Sequence, residues 1–323
     1  LQLRRAAREG GRAGHGAPRC AGGHPMTPRS RRGRSVTRAL LRRMPLPPLH
    51  ADDDKESRGR VLVVGGSTLV PGAVLLAGEG ALRAGAGKLQ LATVRGASVG
   101  LSLVLPEALV VPLAQSRAGE IAGARAAAPL RRPAGETDAL LIGPGMATLP
   151  SVGSLLATLI PQVSDDATLV LDGAGVVALA AHPSLLAPLG GRAVLTPHAG
   201  EMASLLGVDK QDVEADPAAT ALHTAERFAA VVALKGPTTW IATPDGDLLC
   251  YDDGSVGLGT SGSGDTLAGI VTGLAARGAP PLTAAAWGVW AHGSAGRILA
   301  RRVATVGFLA RELLAEVPAL VSR

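Results

Sequence analysis

Short runs of apolar residues recur along the chain, and each one ends in glycine, proline or an isolated polar residue. Arg60-Val61-Leu62-Val63-Val64 runs into Gly65-Gly66-Ser67, and Ala139-Leu140-Leu141-Ile142 runs into Gly143-Pro144-Gly145. Leu169-Val170-Leu171 ends at Asp172, Ala193-Val194-Leu195 at Thr196-Pro197-His198, and Val231-Val232-Ala233-Leu234 at Lys235-Gly236. Leu89 to Val94 is a further strand. Runs without polar alternation are the pattern of strands buried on both faces. Helical segments lie between them. One starts at Pro71-Gly72-Ala73 and reaches about Ala84, where Gly85-Ala86-Gly87 closes it; another follows Asp265, with Leu267, Ile270, Val271 and Leu274 apolar. Strands alternating with helices predict an α/β fold with a mostly parallel central sheet and helices on both faces. Ligands of such sheets bind at the carboxyl ends of the strands, where each of these turns falls.

Composition sharpens the picture. Of 323 residues 43 are Gly and only 2% are aromatic, so Leu, Val and Ala must fill the core. No run of about 18 uncharged apolar residues occurs, so no membrane span is expected. Cys20 and Cys250 form neither a disulfide framework nor a metal-ligand pattern, which suits a reducing cytoplasm. Charge is unevenly spread. Residues 1–43 hold twelve Arg against one acid, Glu9, a net +11, whereas the remainder carries 20 basic and 25 acidic groups, a net −5. The basic balance therefore belongs to a tail, and a nucleic-acid partner is not expected. Residues 1–50 read as a disordered Arg-rich segment and 51–323 as one domain that folds without it. The tail has three readings: an arm for anionic surfaces, a transit peptide, or upstream sequence without a role. The last is preferred, because Met26 and Met44 both offer later starts.

The segment 257–269, Gly-Leu-Gly-Thr-Ser-Gly-Ser-Gly-Asp-Thr-Leu-Ala-Gly, carries the most chemistry. Glycines let backbone N–H groups line a site, and a helix start adds partial positive charge, a combination that receives phosphate. Asp265 is either a helix N-cap or a general base. Lys235, with Thr238 and Thr239, either reaches a phosphate or sits solvated in a hairpin. His198 and Glu201, before the helix at Met202, either face a cleft or serve the helix start.

Taken in order, these segments resemble a family. They are Gly65-Gly66-Ser67 with Pro71-Gly72-Ala73, the helix end Ala81 to Gly87, Pro106-Glu107-Ala108, Gly143-Pro144-Gly145-Met146, Thr196 to Glu201, Lys235 to Thr239 and Ser261 to Asp265. Together they look like the ADP-dependent NAD(P)H-hydrate dehydratases of the ribokinase-like superfamily, over about residues 55–320. Two departures stand out. Leu69-Val70-Pro71 replaces an aromatic of the relatives, and Gly173-Ala174-Gly175 follows Asp172 where relatives often carry a second Asp or Asn.

The resemblance implies a three-layer ribokinase-like fold and a carbon–oxygen lyase that repairs the S epimer of hydrated NADH or NADPH. ADP donates phosphate, and AMP and phosphate leave. It places the hydrate against Ala73, Gly145, His198 and Asp265, and the adenine nucleotide on Lys235, Gly236, Pro237, Thr238, Thr239 and Gly264. Asp265 is the implied base. Mg²⁺ is expected to bridge the nucleotide phosphates, with no metal cage of the protein's own. A homotetramer, a matching epimerase as partner and a cytoplasmic location are implied as well. Two other readings are a small-molecule kinase of the same fold, acting on a vitamin precursor or a sugar, and a nucleotide-sensing or nucleic-acid-binding protein that uses the Arg tail.

Overall fold

The computed structural model describes residues 33–147 and 149–322. Ten strands form one sheet: β1 Arg34–Ser35, β2 Arg60–Val64, β3 Lys88–Val94, β4 Ala108–Leu113, β5 Ala139–Ile142, β6 Thr168–Leu171, β7 Ala193–Leu195, β8 Val231–Leu234, β9 Thr239–Ala242 and β10 Leu248–Tyr251. Their order across the sheet is β1-β10-β9-β8-β7-β6-β5-β2-β3-β4. The pairs from β4 through to β8 are parallel, β9 is antiparallel to both β8 and β10, and β1 runs parallel to β10.

The two-residue period of the strands feeds two cores. Val61 and Val63 of β2 join one apolar cluster while Leu62 and Val64 join the other, and β5 divides in the same way. Helices cover both faces, so the three-layer α/β architecture stands. Among the described residues no helix is long and apolar enough to cross a membrane.

Chain build-up reverses at β2. It proceeds to β3 and β4 on one side, then restarts at β5 on the other. Such a reversal leaves a crevice outside the strand ends. The turns after β2 and β5 meet there, and the Gly66 N–H donates to the Pro144 carbonyl at 2.7 Å.

The helices Gly72–Arg83 and Ser263–Ala276 pack backbone against backbone on one face. A Cβ at Gly269 would fall 2.0 Å from the Ala77 carbonyl oxygen, and one at Gly273 would fall 2.3 Å from that of Ala81. Only glycine permits this approach.

One boundary needs correction. The expected disordered segment, 1–50, overlaps residues that join the fold; residues 1–32 lie outside the described ones. Arg34 and Ser35 pair with Leu249 and Cys250, and the Val36 N–H donates to the Cys250 carbonyl at 2.8 Å. Thr37 Oγ1 caps the short helix Arg38–Leu41 by accepting from the Leu40 N–H. Val36 and Leu41 are 5% and 1% exposed. Trp287 Nε1 donates to the Met44 carbonyl at 2.7 Å. The physical reason is an edge: without β1, β10 would present unpaired backbone groups. Two apolar residues five positions apart in an Arg-rich run give no periodic signal.

A chain beginning at residue 45 is therefore expected to melt several degrees below one beginning at residue 33. Burial of two large aliphatic side chains contributes on the order of 3 kcal/mol. Equal melting temperatures in parallel thermal scans would show that the segment adds nothing.

Candidate active site

Two clefts open at the carboxyl edge of the sheet. The smaller, about 450 Å³, lies between the β5 turn and the start of the helix Ser263–Ala276, and Gly145, Asp172, Glu201 and Asp265 are among its walls. The larger, about 650 Å³, lies over the β8–β9 turn, with Gly236, Pro237, Thr239, Ser263 and His292 among its walls. His198, Lys235 and Gly264 line both.

Lys235 follows β8 directly, and its N–H donates to the Pro197 carbonyl at 2.8 Å, which continues the β7–β8 ladder by one step. Its side chain is only 17% exposed. The Nζ donates to Asp172 Oδ1 at 2.8 Å and lies 3.9 Å from Glu201 Oε2. Asp172 Oδ1 also accepts from Thr196 Oγ1 at 2.7 Å, which fixes the carboxylate from the neighbouring strand. Burial pulls the Lys235 pKa down, but Asp172 and Glu201 outweigh it and the ammonium is held above its ordinary value. A Cβ on Gly264 would lie 3.1 Å from the Lys235 Nζ, so a glycine here keeps the ammonium against the helix N-terminus. The hairpin reading of this segment is right, since Leu234 pairs antiparallel with Trp240, but the lysine in it is not solvated.

Asp265 occupies the third position of the helix Ser263–Ala276. The N-cap is Gly262, in the left-handed region at φ 86, and it makes no side-chain capping bond. Asp265 is thus not the N-cap residue, and it lines the smaller cleft. Burial foremost, then the negative charge of Asp172, push its pKa up to about 7, with Lys235 pulling the other way and Glu201 adding to the rise. A carboxyl poised near neutrality suits proton transfer.

His198 does serve a helix start. Its Nδ1 accepts from the backbone N–H groups of Gly200 and Glu201 at 3.0 and 3.2 Å, and the His198 backbone N–H donates to Glu201 Oε2 at 2.9 Å. This reciprocal arrangement caps the helix Ala199–Leu206. With Nδ1 an acceptor, the Nε2 side is left for Glu201 Oε1, 3.2 Å away.

Residues 61–319 match the family model described as NAD(P)H-hydrate dehydratase. The chain belongs to the NAD(P)H-hydrate dehydratase family. It is 53% identical over 292 residues to the ADP-dependent (S)-NAD(P)H-hydrate dehydratase of Xanthomonas campestris, covering 90% of this chain and 97% of that one. It is 39% identical over 285 residues to the bifunctional NAD(P)H-hydrate repair enzyme of Moorella thermoacetica, of which the match covers 53%, about half. Among solved structures, the ADP/ATP-dependent NAD(P)H-hydrate dehydratase of Bacillus subtilis, co-crystallised with ATP and Mg²⁺, superposes with a TM-score of 0.73 at 28% identity, over 90% of this chain and 98% of that one.

Within this dehydratase fold, most residues singled out from the sequence converge on the two clefts. Ala73 is the exception on the smaller one: it is buried behind the wall, where a Cβ on Gly145 would fall 2.8 Å from its own. Thr238 is absent from the lining of the larger cleft, although its neighbours Pro237 and Thr239 line it. Sequence reasoning left Asp172 out of the candidate site. Its signal was its place, directly after the apolar run of β6, as Lys235 stands after β8. Ser263 and His292, 2.9 Å apart in the larger cleft, were not singled out as side chains either.

The raised pKa of Asp265 has a consequence for stability. Its protonated form is favoured in the fold, so the contribution is complete below the ordinary value of 3.8 and is lost as pH rises through about 7. Asp265→Asn stays neutral throughout. The variant should match the wild type in melting temperature near pH 4 and exceed it by a few degrees at pH 8. A constant difference across that range, measured by calorimetry, would contradict the raised value.

Proposed function

We propose that this protein dehydrates the S epimer of hydrated NADH and NADPH at the expense of ADP, releasing AMP and phosphate. One observation carries the reading: a single ammonium, Lys235, and the glycine start of one helix wall two clefts at once, and an acid with a near-neutral pKa stands in one of them. That arrangement suits transfer of a phosphoryl group from one cleft to the other. The smaller cleft takes the hydrate, against Gly145, His198 and Asp265, with Ala73 supporting the wall. The larger takes the nucleotide, along Gly236, Pro237, Thr239 and Gly264, with Thr238 alongside.

The chemistry follows from the leaving group. Hydroxide leaves poorly from the hydrated ring carbon. Asp265, ionised, accepts the hydroxyl proton while the oxygen attacks the terminal phosphorus of ADP; the new O–P bond forms as the bond to AMP breaks. Lys235 and the Gly264 N–H balance the charge on the moving phosphoryl group; the Ser263 N–H already donates to the Thr260 carbonyl at 3.2 Å. Phosphate then departs with the C–O electron pair, pushed by the ring nitrogen, and loss of a proton from the neighbouring carbon restores the dihydronicotinamide.

Among the described residues no group of three or more His, Cys, Asp or Glu side chains is disposed to hold a metal. The residues fit a Mg²⁺ that arrives on the nucleotide's phosphates. Glu201, 3.9 Å from the Lys235 that lines both clefts, is the carboxylate that would help to hold it, and Asp265 keeps the base role. Bound there it would neutralise phosphate charge. We carry three finer readings with this function: a homotetramer, a cytoplasmic location and a matching epimerase as partner. The bifunctional Moorella relative supports the last.

The test mixes purified protein with hydrated NADH and ADP and follows the return of near-ultraviolet nicotinamide absorbance. Accumulation of a stable phosphorylated product instead would make the protein a kinase. Asp265→Asn should lose about 10²-fold or more in turnover while still binding ADP, and wild-type turnover should fall as pH drops through about 7. A folded variant that keeps a third of the wild-type rate would remove Asp265 from the base role. Lys235→Ala should weaken ADP by roughly ten- to hundredfold in calorimetric titration, as expected for loss of a charge-assisted phosphate contact; an unchanged dissociation constant would take Lys235 off the phosphate.

A further inference from the structure

The larger cleft contains a polar pair that the mechanism above leaves unused. Ser263 Oγ and His292 Nε2 are 2.9 Å apart, and both residues line the cleft while being nearly buried, at 4% and 8% exposure. They come from different helices, Ser263–Ala276 and Pro281–Arg302, so the tertiary fold and not local sequence brings them together. We infer that the Ser263 hydroxyl is a donor to a phosphate of the nucleotide in the larger cleft, and that His292 is the positioning residue that turns it there. The inference rests on the reading of that cleft as the nucleotide site.

The argument is one of hydrogen-bond directions. A hydroxyl has one proton to give and two lone pairs to receive with. A phosphate oxygen only accepts. If the imidazole accepted from Ser263, the hydroxyl proton would be spent on the ring and an oxygen lone pair would meet the anion. If Nε2–H donates to Ser263 Oγ, the hydroxyl proton is left for the cleft. A neutral imidazole can hold its single N–H on Nε2, and an anion in the cleft selects that tautomer. Burial pulls the ring's pKa down to about 4 and keeps it neutral; a hydrogen bond to the Ser263 backbone works against this and the nearby Lys235 charge adds to it. Ser263 opens the helix whose second residue is Gly264, where an added Cβ would lie 3.1 Å from the Lys235 Nζ, so the hydroxyl stands beside the groups already read as receiving phosphate. A pair that only pinned two helices together would need no place on a cleft wall.

The test is calorimetric titration of the full chain with ADP, together with steady-state rates at varied ADP and varied hydrated NADH. Ser263→Ala should raise the ADP dissociation constant about tenfold or more, the loss expected for a hydrogen bond to a charged group. The KM for the hydrate should stay within about twofold. His292→Phe should give the same pattern, and the double variant should be no worse than either single one, because both act through one hydroxyl. His292→Gln, whose amide N–H can reach the same oxygen, should recover most of the affinity. An unchanged dissociation constant for Ser263→Ala, while Lys235→Ala still weakens ADP, overturns this inference and leaves the nucleotide cleft standing. Additive losses in the double variant, or equal losses for the Gln and Phe variants, overturn the positioning role. A wild-type protein that binds no ADP overturns both readings. Should His292→Phe fail to melt cooperatively, Ser263→Ala alone decides.

Discussion

The site depends on one ammonium that has been taken out of water. An isolated buried charge costs several kcal/mol, and Lys235 is tolerated because Asp172 and, at longer range, Glu201 stand against it. Those contacts tie three successive strand ends together. Asp172 follows β6, Thr196 follows β7 and holds the Asp172 carboxylate, and Lys235 follows β8. The same charges then act on Asp265 from the facing helix. Beyond the effect of burial, Asp172 and Glu201 raise its pKa and Lys235 lowers it, so Lys235 and Asp265 cannot be varied separately.

Central strands were legible in the sequence, because a strand buried on both faces leaves an unbroken apolar run. β2, β5, β6, β7 and β8 fall where such runs lie. Strands at or next to the sheet edges were not. β4 carries polar-facing positions such as exposed Leu109, β10 is four residues with a cysteine in it, and β1 is two residues within an Arg-rich stretch. The site divided along a similar line. Gly264, Asp265 and Lys235 were readable because glycine crowding marks a backbone that must approach something closely. Asp172 and His292 owe their importance to partners 63 and 29 residues away, and no local pattern records that distance. His198 was ambiguous in sequence and remains so in structure, since it caps a helix and lines both clefts.

The shortage of aromatic side chains also finds a physical reason. A core of Ala, Val and Leu reaches native packing density only when backbones come close, and the helix carrying Asp265 does so through Gly269 and Gly273 against Ala77 and Ala81. Larger residues there would push the helix away from its neighbour Gly72–Arg83. The start of that helix, with Ser263, Gly264 and Asp265, would move with it. The glycine content thus sets the position of Asp265 as much as it shapes the turns.

Residues 33–44 carry an unforeseen consequence for observing this protein. All three tryptophans of the chain meet that segment. Trp287 donates to Met44, the Arg38 guanidinium lies 5.3 Å from the ring centre of Trp290, and a Cβ on Gly33 would fall 2.9 Å from the Trp240 ring. None of them lines either cleft. The intrinsic fluorescence of the molecule is therefore an optical gauge of how its first strand is seated at the sheet edge, and a poor gauge of what occupies the clefts.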